Sequence, residues 1–421
     1  MTIDNNRTLF KFLFEVYCLS LLIGQTLYYI SPQLQFLRLF SVLFFVFFIL
    51  YFNRFGVKKY LFYFFLLFFL YLTLILLSST RNISFFNINA LINCFMLLLI
   101  VFNLSVFFTK LEKGCVTKSL LKVIYIYLIL CNLVAFWEIL TQNHLPVSKF
   151  SDPDHNYILL YIPTTFFTNE NDYMCVYLLL FLLVFSIKKD FLSERLNFFD
   201  FILLLLLTVQ TFITGARIVQ LCLILFFFIH FIQTKPKFLF FSIGVCFIFY
   251  LLYFDLINNT LTSSFSNHGS NEIRKNLYIL ALKSLFTFKS TILLGYGTDG
   301  AFNYYRNIKT ELFLGGIEAP HNYLFEIILN VGFIYSLVFI CAIFYIFLVL
   351  RNKKYYYFSS IVLLYFVILC ASASSTFLWP QHIVLFVVFY YARSCNSVDK
   401  LKQKEKKKNY FLNTVFKYRG N

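Results

Sequence analysis

Charge is scarce in this chain. Only 13% of its 421 residues are Asp, Glu, Lys or Arg, and 60% are hydrophobic, whereas an ordinary soluble domain carries roughly 25% charged residues. That shortage excludes a soluble globular body, because many apolar runs approach the ~20 residues that cross a bilayer as a helix. The runs also lack the period-two alternation of a membrane β-barrel, so spans that must satisfy their own backbone hydrogen bonds are helices. Acidic residues are scarcer still, 19 against 36 basic ones, leaving a net charge of +17. In a soluble protein that excess would suggest nucleic acid. In a membrane protein it reports topology, and no nucleic-acid partner is expected. No CxxC occurs among the ten cysteines and none falls in an expected outer loop, so neither a disulfide framework nor a zinc site is supported. The first apolar run lacks a small-residue cleavage site and reads as a span rather than a removable signal. No internal repeat marks a transporter built from two halves.

What is present reads as an all-α polytopic membrane protein of about twelve transmembrane helices. The expected spans are 10–30, 33–52, 60–78, 85–108, 119–140, 172–187, 197–214, 217–233, 237–255, 321–350, 355–372 and 379–393. With the N-terminus inside, 26 of the 36 basic residues fall on inner segments and 10 outside, six of those in one long loop. This bias places both termini in the cytoplasm, and the expected location is the bacterial cytoplasmic (inner) membrane. Residues 1–394 form the membrane domain, with an external loop at 256–320. Residues 395–421 form a polybasic cytoplasmic tail, read as an electrostatic contact with anionic membrane lipid. The 60 Phe and 30 Tyr read first as lipid-facing packing. Within the loop, Ile273, Leu277, Leu280, Leu285 and Phe286 recur at helical spacing among Arg274, Lys275 and Lys283, which suggests an amphipathic helix at the outer interface.

Four outer-face patches carry the chemistry-bearing residues. Thr165-Phe-Phe-Thr-Asn-Glu-Asn-Asp172 opens the sixth span, and Thr214-Gly-Ala-Arg217 is a turn too short to leave the membrane. Leu294-Gly-Tyr-Gly297 lies in the long loop, and Ala319-Pro-His-Asn-Tyr-Leu-Phe-Glu326 opens the tenth span, with Asn330 and Gly332 following. An arginine at membrane depth is costly and marks function by default; the alternative for Arg217 is snorkelling to headgroups. Arg274 is a second candidate cation, against a solvated loop charge. His321 titrates near neutrality and is a candidate base, or else a helix-start residue bonded to backbone. Asn322 binds or orients a neighbour, or caps the helix. Gly295 and Gly297 make a turn, with a phosphate cradle as the weaker alternative. Glu326 orients a cation or pairs inside the bundle. Glu15 and Glu138, within spans, are left open. His144, Asp152, Asp154 and His155 fit no standard metal spacing.

Taken in this order on one face, the patches resemble the Wzy and WaaL superfamily of O-antigen polymerases and ligases, mainly over residues 160–340. Members are similar in an Asn-x-Asn before a span, a Thr-Gly-Ser-Arg-like turn, and a long external loop with an early arginine and Gly-x-Gly. That loop ends in His-Asn followed by an acidic residue and a glycine. This chain departs at Glu170, where proline is common, and at Ala216, where serine is usual. The resemblance implies a polysaccharide polymerase that joins undecaprenyl-pyrophosphate-linked oligosaccharide repeats, without metal or cofactor. In it Arg217 and Arg274 would grip pyrophosphate, His321 would serve the acceptor hydroxyl, and Asn169 and Asn171 would contact sugar. A chain-length regulator and a flippase of the same pathway are the expected partners. A ligase of the same superfamily is the nearest alternative. A flippase for lipid-linked oligosaccharide is a third, disfavoured because the arginines sit near the outer face.

Overall fold

The computed structural model describes residues 3–24, 36–51, 58–79, 88–145, 162–167, 170–234, 279, 282–283, 295, 323–352, 355–371 and 383–392. Among these residues the regular structure is helical, with no strand. In chain order the helices are α1 (Ile3–Leu22), α2 (Phe36–Leu50), α3 (Lys58–Ser79), α4 (Ile88–Lys110), α5 (Lys113–Thr141) and α6 (Glu170–Ser186). They continue as α7 (Phe198–Thr214), α8 (Arg217–Thr234), α9 (Tyr323–Asn352), α10 (Tyr356–Ala371) and α11 (Ile383–Ala392). They stand at eleven of the twelve expected span positions; the ninth, 237–255, lies outside the described residues, as do the tail and most of the 256–320 loop. Lys113–Thr141 and Gly332–Asn352 are long and apolar enough to cross a bilayer, whereas other apolar stretches, such as Phe198–Thr214 and Tyr356–Ile368, are shorter.

The burial pattern is that of a protein dissolved in lipid. In α7 the inward stripe is Asp200, Leu203, Leu207, Gln210, Thr211 and Thr214, while Phe201, Leu205 and Phe212 are exposed. Polar groups inside and apolar ones outside invert the arrangement of a helix in water. A solvent of hydrocarbon makes that inversion favourable, since unsatisfied polar groups, not apolar ones, are costly to expose there. The chain is therefore a membrane protein.

Helix α6 is the hub. Every residue from Asp172 to Ser186 is buried, as expected of a helix that is apolar all round. It packs on α5, α7, α8 and α10. A second group, α1 to α4, attaches through the contact of α1 with α5. Its interior is aromatic. Phe14, Tyr17, Phe48 and Phe107 are completely buried, with Phe48 edge-on to Phe107 at 5.2 Å. Much of the aromatic content therefore fills the space between helices instead of facing lipid alone. Asn103 staples this group, its Nδ2 donating to Ser41 O at 2.9 Å and to Tyr17 Oη at 3.2 Å.

One end of the bundle gathers the basic residues. There α6 runs on as a π-helical turn, Ile187–Leu192, closed by Ser193 at a left-handed φ of 55°. Lys188, one residue past the sixth expected span, is buried against Asp200 at 2.6 Å. Asp200 also accepts from Tyr125 Oη and from Asn197 N, completing a capping box at the start of α7. Removing one member of such a buried pair typically costs about 3–5 kcal/mol, because the other charge is left uncompensated. Lys122 pairs with Glu15 at 2.6 Å, which settles the partner of that carboxylate. Asp190 reaches from the π turn to accept from Phe358 N in the first turn of α10.

Candidate functional site at the opposite end

The end away from the basic residues collects the C-terminus of α5, the N-terminus of α6 and the α7–α8 turn. Glu138, on the last turns of α5, is completely buried. Its Oε2 accepts from the backbone N–H groups of Thr164 and Thr165 at 2.8 and 2.9 Å. His144 Nδ1 lies 3.5 Å from its Oε1 and 3.4 Å from Thr164 Oγ1. The carboxylate thus ties down a tight turn in which Thr165 adopts a left-handed φ of 51°, unusual for a β-branched residue. Glu138, open as to role in the sequence, is an anchor for the segment that leads into α6. The same contacts account for His144 without a metal.

From that turn the chain enters α6 at Glu170. Asn171, half-buried in the first turn, donates through Nδ2 to Glu170 Oε1 at 3.3 Å. One turn deeper, the hydroxyl of Tyr173 donates to Gln210 Oε1 of α7. Gln210 Nε2 donates to Asn132 Oδ1 of α5 at 2.8 Å, and Asn132 Nδ2 donates to Tyr177 Oη at 2.7 Å. Three helices are cross-linked by one polar chain within the apolar bundle. An unsatisfied amide there would cost roughly 2–7 kcal/mol, so the pairing is specific.

The α7–α8 turn follows directly. Thr214 Oγ1 donates back to Gln210 O at 2.8 Å, and Gly215 caps α7 in the left-handed region at φ 63°. A β-carbon would have open space at Gly215, so its requirement for glycine is conformational rather than steric. Ala216 is fully buried, and Arg217 is the first residue of α8, with its side chain exposed. Gln220 Nε2 reaches back to Thr211 O at 3.4 Å and braces the turn.

The structure brings Asn171 and Arg217 to one end of mutually packed α6, α7 and α8. Gly295 is buried, with a left-handed φ of 68°. Glu326 lies in the first turn of α9. That helix, expected to run unbroken, is interrupted at Gly332, whose φ of 85° and ψ of 170° are non-helical. Asn169, Arg274, Gly297, His321 and Asn322 lie outside the described residues. Of the expected interfacial helix, Ile279, Leu282 and Lys283 are helical and exposed. Reasoning from motifs missed the Asn132, Tyr173, Tyr177 and Gln210 network. The available signal was an amide in each of two apolar runs, Asn132 and Gln210, which in a membrane calls for a partner.

A search among curated proteins finds no match. Residues 201–340, from α7 into the second half of α9, match the family model described as O-antigen ligase, Wzy_C. The matched segment contains the Thr214–Arg217 turn and both halves of the break at Gly332, and over that third of the chain it supports the resemblance to the O-antigen polymerase and ligase superfamily.

Proposed function

We propose that this protein is a polysaccharide polymerase working at the outer face of the cytoplasmic membrane. It transfers a growing glycan from one undecaprenyl pyrophosphate carrier to the terminal sugar of a lipid-linked repeat unit. The observation that carries this reading is Arg217 at the start of α8, inside the family-matched segment and at the end of the bundle away from the lysines. A guanidinium grips phosphate oxygens bidentately and stays charged. The N-terminus of α8 adds the positive end of a helix dipole aimed the same way. Ala216, the residue before that helix, has no side-chain oxygen with which to cap it.

The chemistry is one substitution. The acceptor hydroxyl oxygen forms a bond to the anomeric carbon of the donor glycan, and the bond from that carbon to the carrier's pyrophosphate oxygen breaks. The pyrophosphate leaves with the electron pair, and the hydroxyl proton passes to His321. Arg217 and Arg274 neutralise the charge that develops on the leaving group; one preorganised donor of this kind is worth about 10²–10³-fold in rate. Asn169, Asn171 and Asn322 contact sugar, Gly295 and Gly297 shape the loop, and Glu326 orients a cation. A chain-length regulator and a flippase of the same pathway work beside it.

The matched family, that of O-antigen ligases, favours a second reading in which the finished chain is moved to a lipid core. The glycans that accumulate in cells lacking the gene separate the two. Surface carbohydrate stopped at a single repeat is the expected result. Long chains stranded on the polyprenyl carrier establish the ligase instead, and single repeats trapped on the cytoplasmic face overturn both enzymes in favour of a flippase.

A further inference from the structure

We propose that Gln210 is a positioning residue that holds the Asn171-bearing end of α6 and the Arg217-bearing start of α8 in one register. The proposal rests on the lipid-linked glycan transferase reading above and assigns to it a residue outside the substrate contacts.

Three observations carry it. First, Gln210 is buried, at 6% exposure, and both ends of its amide are used. Its Oε1 accepts from Tyr173, two residues beyond Asn171 in α6, and its Nε2 donates to Asn132 of α5. Second, the orientation of that amide is fixed by its neighbours. Asn132 commits its Nδ2 to Tyr177 Oη and Leu128 O, each at 2.7 Å, and so presents only its oxygen to Gln210. Third, the backbone carbonyl of Gln210 receives Thr214 Oγ1 at 2.8 Å. The turn from Thr214 to Arg217 therefore starts from the residue that the network locks. A rotation of α7 about its axis would break the side-chain bonds and swing the Gly215–Arg217 turn together. Packing by apolar side chains alone resists such rotation weakly in lipid, where neighbours are as apolar as the solvent. A buried amide with one satisfied orientation resists it strongly. A cationic group and a sugar-binding one that must meet one substrate need that constraint, because misplacement by about 1 Å can cost on the order of 10²-fold in rate.

The test uses the full-length protein in lipid nanodiscs, with lipid-linked oligosaccharide extracted from cells lacking the gene as substrate. Gln210→Met keeps the volume and removes both bonds; Tyr173→Phe removes one hydroxyl and is the variant least disturbing to folding. The expected result is a kcat lowered on the order of 10–100-fold for Gln210→Met and less for Tyr173→Phe, with KM within about threefold. Both variants should melt as cooperatively as the parent. In parallel, spin labels at 171 and 217, introduced as an unnatural amino acid, report the spacing without any activity. Gln210→Met should broaden that distance distribution. Parental kcat in both variants, or a fall in melting temperature with kcat unchanged, reduces Gln210 to a packing residue and overturns the proposal. An unchanged label distance overturns it as well. A parent protein that transfers nothing from the lipid-linked substrate defeats the transferase reading alone, while the label distances still decide whether Gln210 sets the spacing.

Discussion

Arg217 begins a helix whose dipole opposes it. A cation at a helix N-terminus loses a few tenths to about 1 kcal/mol relative to an anion there, and the side chain is exposed at the surface. Both facts become favourable once a phosphate group is bound between guanidinium and helix end. Arg217→Lys should therefore leave the melting temperature within about 2 °C, as a surface substitution does. Transfer from the lipid-linked donor should fall about 10²-fold, since an ammonium keeps the charge and loses the bidentate grip. Parental turnover by the lysine variant would mean that the charge alone matters and that no planar clamp forms. At this scale the sequence located Arg217 and Asn171 at the starts of spans, where the structure has them. Lys188 shows the limit. A lysine just past an apolar run reads as a loop charge, and nothing local says that Asp200, twelve residues on, folds back to bury it. Glu138 was visible as a carboxylate in a span, but its backbone partners at Thr164 and Thr165 come from a turn that only tertiary structure brings there.

At the scale of the element, two helix ends carry testable consequences. Helix α9 breaks at Gly332, whose φ and ψ lie in a region that essentially only glycine occupies. Ser336 Oγ donates to the Gly332 carbonyl at 2.8 Å and steadies the break. The apolar periodicity of 321–350 runs straight through the glycine, which is why the sequence showed one span and not its interruption. Gly332→Ala should cost about 1–3 kcal/mol, read as a lower melting temperature, and should depress transfer by moving the first turns of α9, where Glu326 sits. Helix α10 begins on the Asp190 carboxylate, which accepts from Phe358 N at 2.8 Å. Burial pushes that carboxyl up to about 7, outweighing the N–H groups of Phe358 and Tyr357 that favour its charged form. An unfolded aspartate releases its proton near pH ~4. Between roughly pH 4 and 7 the folded chain therefore holds one proton more than the unfolded one, so this group's contribution to stability falls as pH rises through that window. Asp190→Asn keeps an acceptor for Phe358 N and no longer titrates. Its melting temperature relative to the parent should rise from pH 4.5 to 7.5, ending above it. A variant that is the less stable one at pH 7.5 would show that the charged carboxylate is the better cap.

At the scale of the molecule, contacts at the helix ends fix the direction of the chain. The π turn after α6 meets the starts of α7 and α10 through Lys188–Asp200 and Asp190–Phe358, so these three ends share the basic side. Tyr391, at the close of α11, bonds Thr117 near the start of α5 on that same side. Successive residues of α1 meet α4 in reverse order, Phe10 and Phe14 touching Phe107 and Tyr17 touching Asn103, so α1 also starts there. Helix α8 starts at the far side beside the end of α7 and so ends on the basic side. Helix α9 ends on the basic side, where the short connection leads into α10, and so starts at the far side. Between Thr234 and Tyr323 the sequence predicts one span, at 237–255. On that expectation Arg274, Gly297, His321 and Asn322 belong to the face that holds Arg217, which fusions can test. The charge bias predicts that the basic side faces the cytoplasm, and on that expectation reporter fusions give a definite pattern. A cytoplasmic fluorescent reporter should light when inserted after Glu194, after Asn352 or after Ala392, and a periplasmic phosphatase should be active after Gly215 and after Ser270. Phosphatase activity after Gly215 without activity after Ser270 would remove the span expected at 237–255. It would also strand Arg274 and His321 on the cytoplasmic side, leaving Arg217 without the two residues that the reaction assigns to it.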